Sequence, residues 1–220
     1  KKYNININDD ELNDVVTMID PDKTKDYGEK QWLYQIVANK VCSIDVDKID
    51  YLQRDCYHIG MKFGGEYSRL MTDCRVKKIK GTEKLVLAWP KKLEFEIYNL
   101  FNTRYRLHKQ VLSHHTVKAY EYYIIEILRS IKQKSIDFLE LTDSIVFCNL
   151  HKNQLYDDIK SKMFNRKIPK LVCEKIIPYT ATHHTIHMFP RRIVDLLVDK
   201  VDLGFATGGQ NPLTSVYYFE

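Results

Sequence analysis

Asp45-Val46-Asp47-Lys48-Ile49-Asp50-Tyr51-Leu52-Gln53-Arg54-Asp55-Cys56-Tyr57-His58-Ile59-Gly60 is the stretch that decides how this chain is read. From about Asp47 to Ile59 it has the period of an amphipathic helix, and Gly60 offers a stop. At about 100° per residue, Asp47, Tyr51, Asp55 and His58 share a sector of about 80°, while Ile49, Leu52, Cys56 and Ile59 occupy the opposite side. One face is therefore apolar, for packing. The other carries two carboxylates, a phenol and an imidazole, with Lys48 at its edge. Ordinary solvent-facing helices favour Lys, Glu and Gln, whereas Asp and Tyr are mediocre helix formers. Short, well-aimed groups of this kind suit a site; a solvated face is the competing interpretation.

Working outward, residues 9–19 and 29–39 read as short helices separated by Asp20-Pro21-Asp22-Lys23. A short helix at 67–72 leads into two runs, 74–79 and 84–89, joined through Lys80-Gly81-Thr82 as a β-hairpin. Beyond Pro90 the pattern is helical from 92 to 132, as two helices, with further helices near 137–149 and 152–164. Residues 168–177 read as a strand, with a helix as the alternative, 190–199 as a helix and 215–219 as a final strand. The expected architecture is mainly α, with a β-hairpin and a small α+β C-terminal lobe. The boundary is placed near residue 166, giving segments 1–166 and 167–220.

A second constellation lies in Tyr98-Asn99-Leu100-Phe101-Asn102-Thr103-Arg104-Tyr105-Arg106-Leu107-His108. Arg104 and His108 are one helical turn apart within the apolar sector of Ile97, Leu100, Phe101, Leu107 and Val111. A guanidinium in such a sector needs a partner, because a buried unpaired charge is very costly. Either an internal carboxylate or a bound phosphate, which an Arg fork matches well, would serve.

The 220 residues suit one domain, or one with an appendage. The net charge of +5 fits anionic ligands such as nucleotides without requiring them. Cys42, Cys56, Cys74, Cys148 and Cys173 form no C-x-x-C pair, which argues against a zinc ribbon or a thioredoxin-type motif. Cys56, Cys148 and Cys173 sit among apolar neighbours as expected core thiols, and reduced cysteines point to an intracellular compartment, nuclear or cytoplasmic. No apolar run approaches the roughly 18 residues of a membrane span, so no membrane partner is expected. His183, His184 and His187 have helical spacing but no fitting carboxylate or Cys nearby, so a surface or core-edge cluster is expected there. Lys1-Lys2-Tyr3-Asn4, without an initiator Met, reads as the start of a fragment.

These segments resemble the SAM-and-HD-domain deoxynucleotide triphosphohydrolases of eukaryotes. The resemblance is carried by Ile36-Val37-Ala38-Asn39-Lys40, Ile44-Asp45-Val46-Asp47-Lys48, Asp50-Tyr51 and Arg54-Asp55-Cys56, with His58 and Gly60. Leu100-Phe101-Asn102-Thr103-Arg104 with Leu107-His108, and Gln210-Asn211-Pro212-Leu213 with Val216 and Tyr218, continue it in order to the end. It implies the C-terminal part of an HD domain followed by a C-terminal lobe.

The resemblance also implies roles. Asp47 matches the last metal-ligand Asp of the HD motif, for a divalent metal (Mg, Mn, Fe or Zn). Lys48 and Arg104 match groups on the substrate triphosphate, Tyr51 and Asp55 match residues facing the deoxyribose, and His108 matches a histidine beside the substrate. The implied activity of the parent protein is hydrolysis of dNTPs to deoxynucleoside and inorganic triphosphate. Arg69, Lys92 and His114 fall where effector nucleotides (GTP or dNTP) bind in a homo-oligomer, a dimer or tetramer.

Departures from the family pattern are specific. The family's other metal ligands, a His and an adjacent His-Asp pair, lie upstream, and this sequence contains no His-Asp dipeptide. The segment alone is thus expected to be inactive. Leu112 and Ser113 replace a Tyr-Gln pair that lines the base and sugar, and Pro90, Glu96, Gln110 and His115 replace Arg, Asn, Arg and Lys of the effector sites. The alternative expectation is a catalytically degenerate HD-family protein that binds nucleotides or single-stranded nucleic acid as a regulatory or scaffold module.

Overall fold

The computed structural model describes residues 6–62, 65–132, 142, 144, 154–176, 196–201, 203 and 211–220. By packing, the chain groups into two compact units, one made of residues 1–107 and 202–220 and the other of residues 108–201. The architecture is mainly helical with a small sheet, as the sequence implies.

In the first unit, α1 (Asp9–Ile19) begins in a reciprocal capping box: the Asn8 side chain accepts from Glu11 N–H at 2.8 Å, and Asn8 N–H donates to the Glu11 carboxylate at 3.0 Å. Residues 29–39 do not form the expected helix. Two short 3-10 turns, Gly28–Lys30 and Leu33–Gln35, take its place. The reason is the buried Gln35, whose amide oxygen accepts from Leu87 N–H at 2.9 Å, so that this segment serves as a brace for the sheet.

The helix of the opening stretch is α2 (Val46–His58), capped by the Asp45 side chain, which accepts from Lys48 N–H at 2.9 Å. Ile49, Leu52 and Cys56 are buried as the apolar face requires, whereas Ile59 sits beyond the last turn and is exposed. Gly60, at φ +68°, ends the helix, and Met61 N–H reaches back to the Cys56 carbonyl at 2.9 Å. The short α3 (Ser68–Thr72) leads into β1 (Arg75–Lys78) and β2 (Leu85–Pro90), an antiparallel hairpin in which Arg75 faces Ala88 and Lys78 faces Leu85. The expected C-terminal strand shortens to β3 (Tyr218–Phe219), after a 3-10 turn over Pro212–Ser215. It pairs in parallel with β2, giving the order β1-β2-β3.

α4 (Glu94–Leu107) supplies the centre of this unit's core, with Ile97, Leu100, Phe101 and Leu107 fully buried. The buried Tyr67 hydroxyl donates to Thr103 Oγ1 at 2.9 Å and accepts from Gly65 N–H at 3.2 Å, tying the loop before α3 to α4. A Cβ on Gly65 would come within 2.6 Å of the Tyr67 ring. Because that ring is enclosed and cannot swing away, Gly65→Ala is expected to destabilise the chain by about 1–3 kcal/mol. Urea unfolding measures this, and an unchanged midpoint would refute the packing described.

The second unit starts with a π-helical turn, His108–Leu112, followed by α5 (His115–Lys132) and α6 (Gln154–Phe164). Ile127, Tyr156, Ile159 and Met163 form its core, with Tyr120, Tyr123 and Ile124 packed against them. Tyr120 and Tyr123 donate to the carbonyls of Met163 and Lys167 at 3.1 and 2.8 Å. Residues 168–176 hold no strand, contrary to expectation. Cys173 is exposed and is not a core thiol, while Cys42 joins Cys56 in the interior. The helix expected at 137–149, most of the helix expected at 190–199, Cys148 and the histidines at 183–187 lie outside the described residues.

Candidate functional site

The site is built on a loop that the sequence pattern did not single out. Asn39 is buried, and its side chain holds residues 41–44 from both ends. Its carbonyl oxygen accepts from the N–H groups of Val41 (3.0 Å) and Cys42 (3.1 Å), and its amide donates to the Ile44 carbonyl and to Cys42 Sγ, each at 3.1 Å. Asn39 N–H donates to one Asp45 carboxylate oxygen at 2.9 Å, and the other oxygen caps α2. This ring of bonds supports Ser43 at φ +57°, a left-handed conformation that a non-glycine residue adopts at a cost.

Lys48 depends on that loop. Its side chain is enclosed, with only 7% of the residue exposed, and its ammonium donates to the Ser43 carbonyl at 2.6 Å. Burial pulls the Lys48 pKa below the ordinary lysine value; Arg104 pushes it the same way, and Asp45, Cys42 and Asp47 oppose them. Tyr51, half-buried one turn along α2, has its phenol pKa raised by burial, against which Arg104 acts both by charge and by a hydrogen bond to the phenol. Lys48, Tyr51 and Arg104 therefore share one electrostatic neighbourhood at the start of α2, and Asp45 and Asp47 act on both α2 side chains. Burial also pushes the adjacent Cys42 thiol up to about 12, which makes it inert as a nucleophile at neutral pH.

Asp47 is exposed at this edge. Asp55 lies further along α2, with its carboxylate 3.6 Å from Arg54 Nε, and His58 is exposed at the last turn. His108 belongs to the other compact unit. The residues present do not make a metal centre: among the described residues no group of three His, Cys, Asp or Glu side chains could hold a metal ion. Asp47 contributes one carboxylate, which by itself does not hold a metal ion.

The three positions expected to meet effector nucleotides are already engaged. Arg69 is ion-paired with Glu96, Lys92 lies 3.6 Å from Asp73, and the His114 ring lies tilted against His115 with centroids 4.1 Å apart. Glu96 explains the first of these, since it supplies a negative charge where the family pattern has a neutral Asn. Lys92 also lines a shallow groove with Asp73, Arg75, Pro90, Lys91 and Phe219.

Sequence reasoning missed Asn39, Ser43 and Asp45 as the supports of Lys48. The Asn39-to-Asp45 spacing was a usable signal for the loop. The Ser43 contribution is a backbone carbonyl and leaves no trace in a side-chain pattern.

No family model matches the chain. Individual proteins do. It is 28% identical over 254 aligned residues to an HD-domain-containing protein of Acanthamoeba polyphaga mimivirus, an alignment covering 97% of this chain and 52% of that protein. It is 30% identical over 177 residues to the deoxynucleoside triphosphate triphosphohydrolase SAMHD1 homolog of Dictyostelium discoideum, covering 79% of this chain and 31% of that one. Over 98 residues it is 40% identical to deoxynucleoside triphosphate triphosphohydrolase SAMHD1 of Danio rerio, covering 44% of this chain and 15% of the fish protein. The chain thus spans about half the length of the viral relative and less of the others. Among the described residues no helix is long and apolar enough to cross a membrane. With several relatives agreeing over a mainly helical chain that carries a small sheet, this chain belongs to the SAM-and-HD-domain protein family.

Proposed function

We propose that the start of α2 and the facing side of α4 form the triphosphate-holding part of a dNTP triphosphohydrolase, whose metal ligands other than Asp47 come from polypeptide outside this chain. The supporting observation is the placement of Lys48 and Arg104. Lys48 is enclosed, and burial together with Arg104 disfavours its charge by more than Asp45 and Asp47 restore, since its pKa stays below the ordinary lysine value. A polyanion offsets that cost. The Lys48 ammonium has three donors and, among the described residues, gives one to Ser43, so that the others can serve phosphate oxygens. Tyr51 and Asp55, further along the same helix, are assigned to the deoxyribose, and His108 to a position beside the substrate. Residues 1–166 are assigned to the C-terminal part of the HD domain and 167–220 to the small lobe.

The parent enzyme is proposed as a homo-oligomer. The Arg69–Glu96 and Lys92–Asp73 pairs favour weakened effector binding, because a nucleotide must first displace a carboxylate from each cation. The same pairs, together with Leu112 and Ser113, favour a second reading: a degenerate family member that binds nucleotides or single-stranded nucleic acid without turnover. Incubating the longest polypeptide its gene encodes with each dNTP and Mg²⁺ or Mn²⁺ separates the two. Release of inorganic triphosphate is expected. Binding without release, with and without GTP, selects the degenerate reading.

A further inference from the structure

The two sides of the small sheet are finished differently. On β2, the backbone groups that point away from β1 are satisfied: Leu87 N–H donates to the Gln35 side chain and Trp89 N–H to the Tyr217 carbonyl, each at 2.9 Å. Hydrogen bonding alternates along a strand, so Val86 and Ala88 turn the other way, toward their partners Lys77 and Arg75. The hairpin end agrees, with Ile79 N–H donating to the Lys84 carbonyl at 3.0 Å. By the same alternation the backbone groups of Val76 and Lys78 point outward from the sheet. Among the described residues no strand pairs with that side of β1, and all four residues of β1 are exposed.

The side chains of β1 end the core at β2. Arg75 and Lys77 stand across from Ala88 and Val86, on the face that β2 buries, where a further core strand would carry apolar residues. Residues 74–84 instead hold Arg75, Lys77, Lys78, Lys80 and Lys84 against the single carboxylate of Glu83, a net charge of +4 in a chain of net charge +5. Lys78 pairs with Glu83, and Lys84 with Asp26 at 2.8 Å. Arg75 donates to the carbonyls of Thr72 and Cys74, and Lys77 lies 4.6 Å from the centre of the Phe219 ring. Cations on an edge strand oppose pairing with a second copy, because cation would face cation across the new ladder. The same charges admit a strand of opposite sign.

We propose that the outer edge of β1 is a docking surface for an acidic peptide segment of a partner protein, which adds to the sheet as a further strand. Peptide residues opposite Val76 and Lys78 exchange backbone hydrogen bonds with them. Residues opposite Arg75 and Lys77 fall in the closer, non-hydrogen-bonded pairs, where their carboxylates meet the two cations. The recognised pattern is therefore acid, apolar, acid at consecutive positions, with the apolar residue opposite Val76. This surface is independent of the enzymatic reading, since Lys48, Tyr51 and Arg104 take no part in it.

The test uses the full chain and a fluorescein-labelled peptide, Thr-Glu-Val-Glu-Thr with blocked ends, followed by fluorescence anisotropy. Saturable binding is expected. Methylating the amide nitrogen of the peptide's valine keeps every charge but removes a ladder donor, and is expected to weaken binding by about tenfold or more. Lys77→Glu is expected to weaken binding by roughly tenfold and to shift preference to the peptide carrying Lys in place of Glu. Val76→Pro deletes an outward N–H that the β1–β2 ladder does not use, and is expected to abolish binding with Tm unchanged. Should that variant fail to fold, the methylated peptide on the unaltered chain decides the same point. Absence of saturable peptide binding overturns the proposal, including the case in which only a single-stranded oligonucleotide binds. Equal binding of the methylated and unmethylated peptides also overturns it, since charge attraction alone would then account for both. So does self-association that Val76→Pro abolishes, which assigns the edge to a second copy.

Discussion

Lys48→Met is expected to weaken binding of inorganic tripolyphosphate by about tenfold or more and to leave the Tm unchanged or raised. A hydrogen bond to a charged group contributes about 1.5–3 kcal/mol, and about 1.4 kcal/mol corresponds to a factor of ten in affinity. The stability half of the expectation follows from burial. Lys48 has a pKa below the ordinary lysine value in the folded chain, so the unfolded chain binds its proton more tightly. Below the folded-state pKa its charge is a net cost to folding; stability rises as the pH climbs from that value toward the unfolded value of about 10.4. Methionine keeps the packed stem and removes the charge. Isothermal titration with tripolyphosphate and a thermal melt on the same variant read the two halves separately. A lowered Tm with unchanged binding would show that Lys48 serves only as an anchor for the loop carrying Ser43.

The second large effect is structural. Asn39→Ala removes two acceptor and two donor contacts from an enclosed loop and leaves the Cys42 N–H and the Ile44 carbonyl short of partners. The expected loss is about 2–4 kcal/mol, the range for breaking a buried hydrogen-bond network. It should be accompanied by loss of tripolyphosphate binding, because the same loop presents the carbonyl that steers Lys48 and the carboxylate that caps α2. A change below about 0.5 kcal/mol, the scale of an ordinary surface substitution, would show that the ring of bonds around Asn39 is not what holds the site.

The Asp14–Tyr34 contact sets a pH window for α1. The hydrogen bond from Tyr34, followed by that from Lys30, holds the Asp14 pKa below the ordinary value of 3.8; in turn the Tyr34 phenol is raised to about 12. The Asp14 contribution is fully present above the unfolded carboxylate pKa and is lost as pH falls through the lower folded value. The Tyr34 contribution is present below the ordinary phenol value of 10.0 and is lost as pH rises through about 12. Amide exchange in α1 is expected to accelerate at both limits, and Tyr34→Phe is expected to accelerate it between them. Exchange in α1 that Tyr34→Phe leaves unaltered would contradict this attachment.

The opening stretch alone determined α2, because its signals are local: a capping Asp45, buried residues at helical spacing and a glycine that accepts positive φ. The β-hairpin is legible for the same reason, as two short runs around Gly81 at φ +78°. Arg104 was legible as a guanidinium in an apolar sector and Lys48 as the edge of a polar face; their assignment to a triphosphate came only by resemblance.

Tertiary structure decided the rest, wherever a residue's partner is distant in the chain. Gln35 bonds a strand 52 positions away, and that bond, not the local pattern, disposes of a helix at 29–39. β3 exists because β2 offers it an edge, with Trp89 N–H donating to the Tyr217 carbonyl at 2.9 Å. Periodicity showed that α1 is a helix but not which side would dock: Asp14 bonds Tyr34 and Lys30, while Leu12, Val15, Val16 and Ile19 stay exposed. Sequence period fixes what a segment can bury; which face is buried depends on what the rest of the chain brings to it.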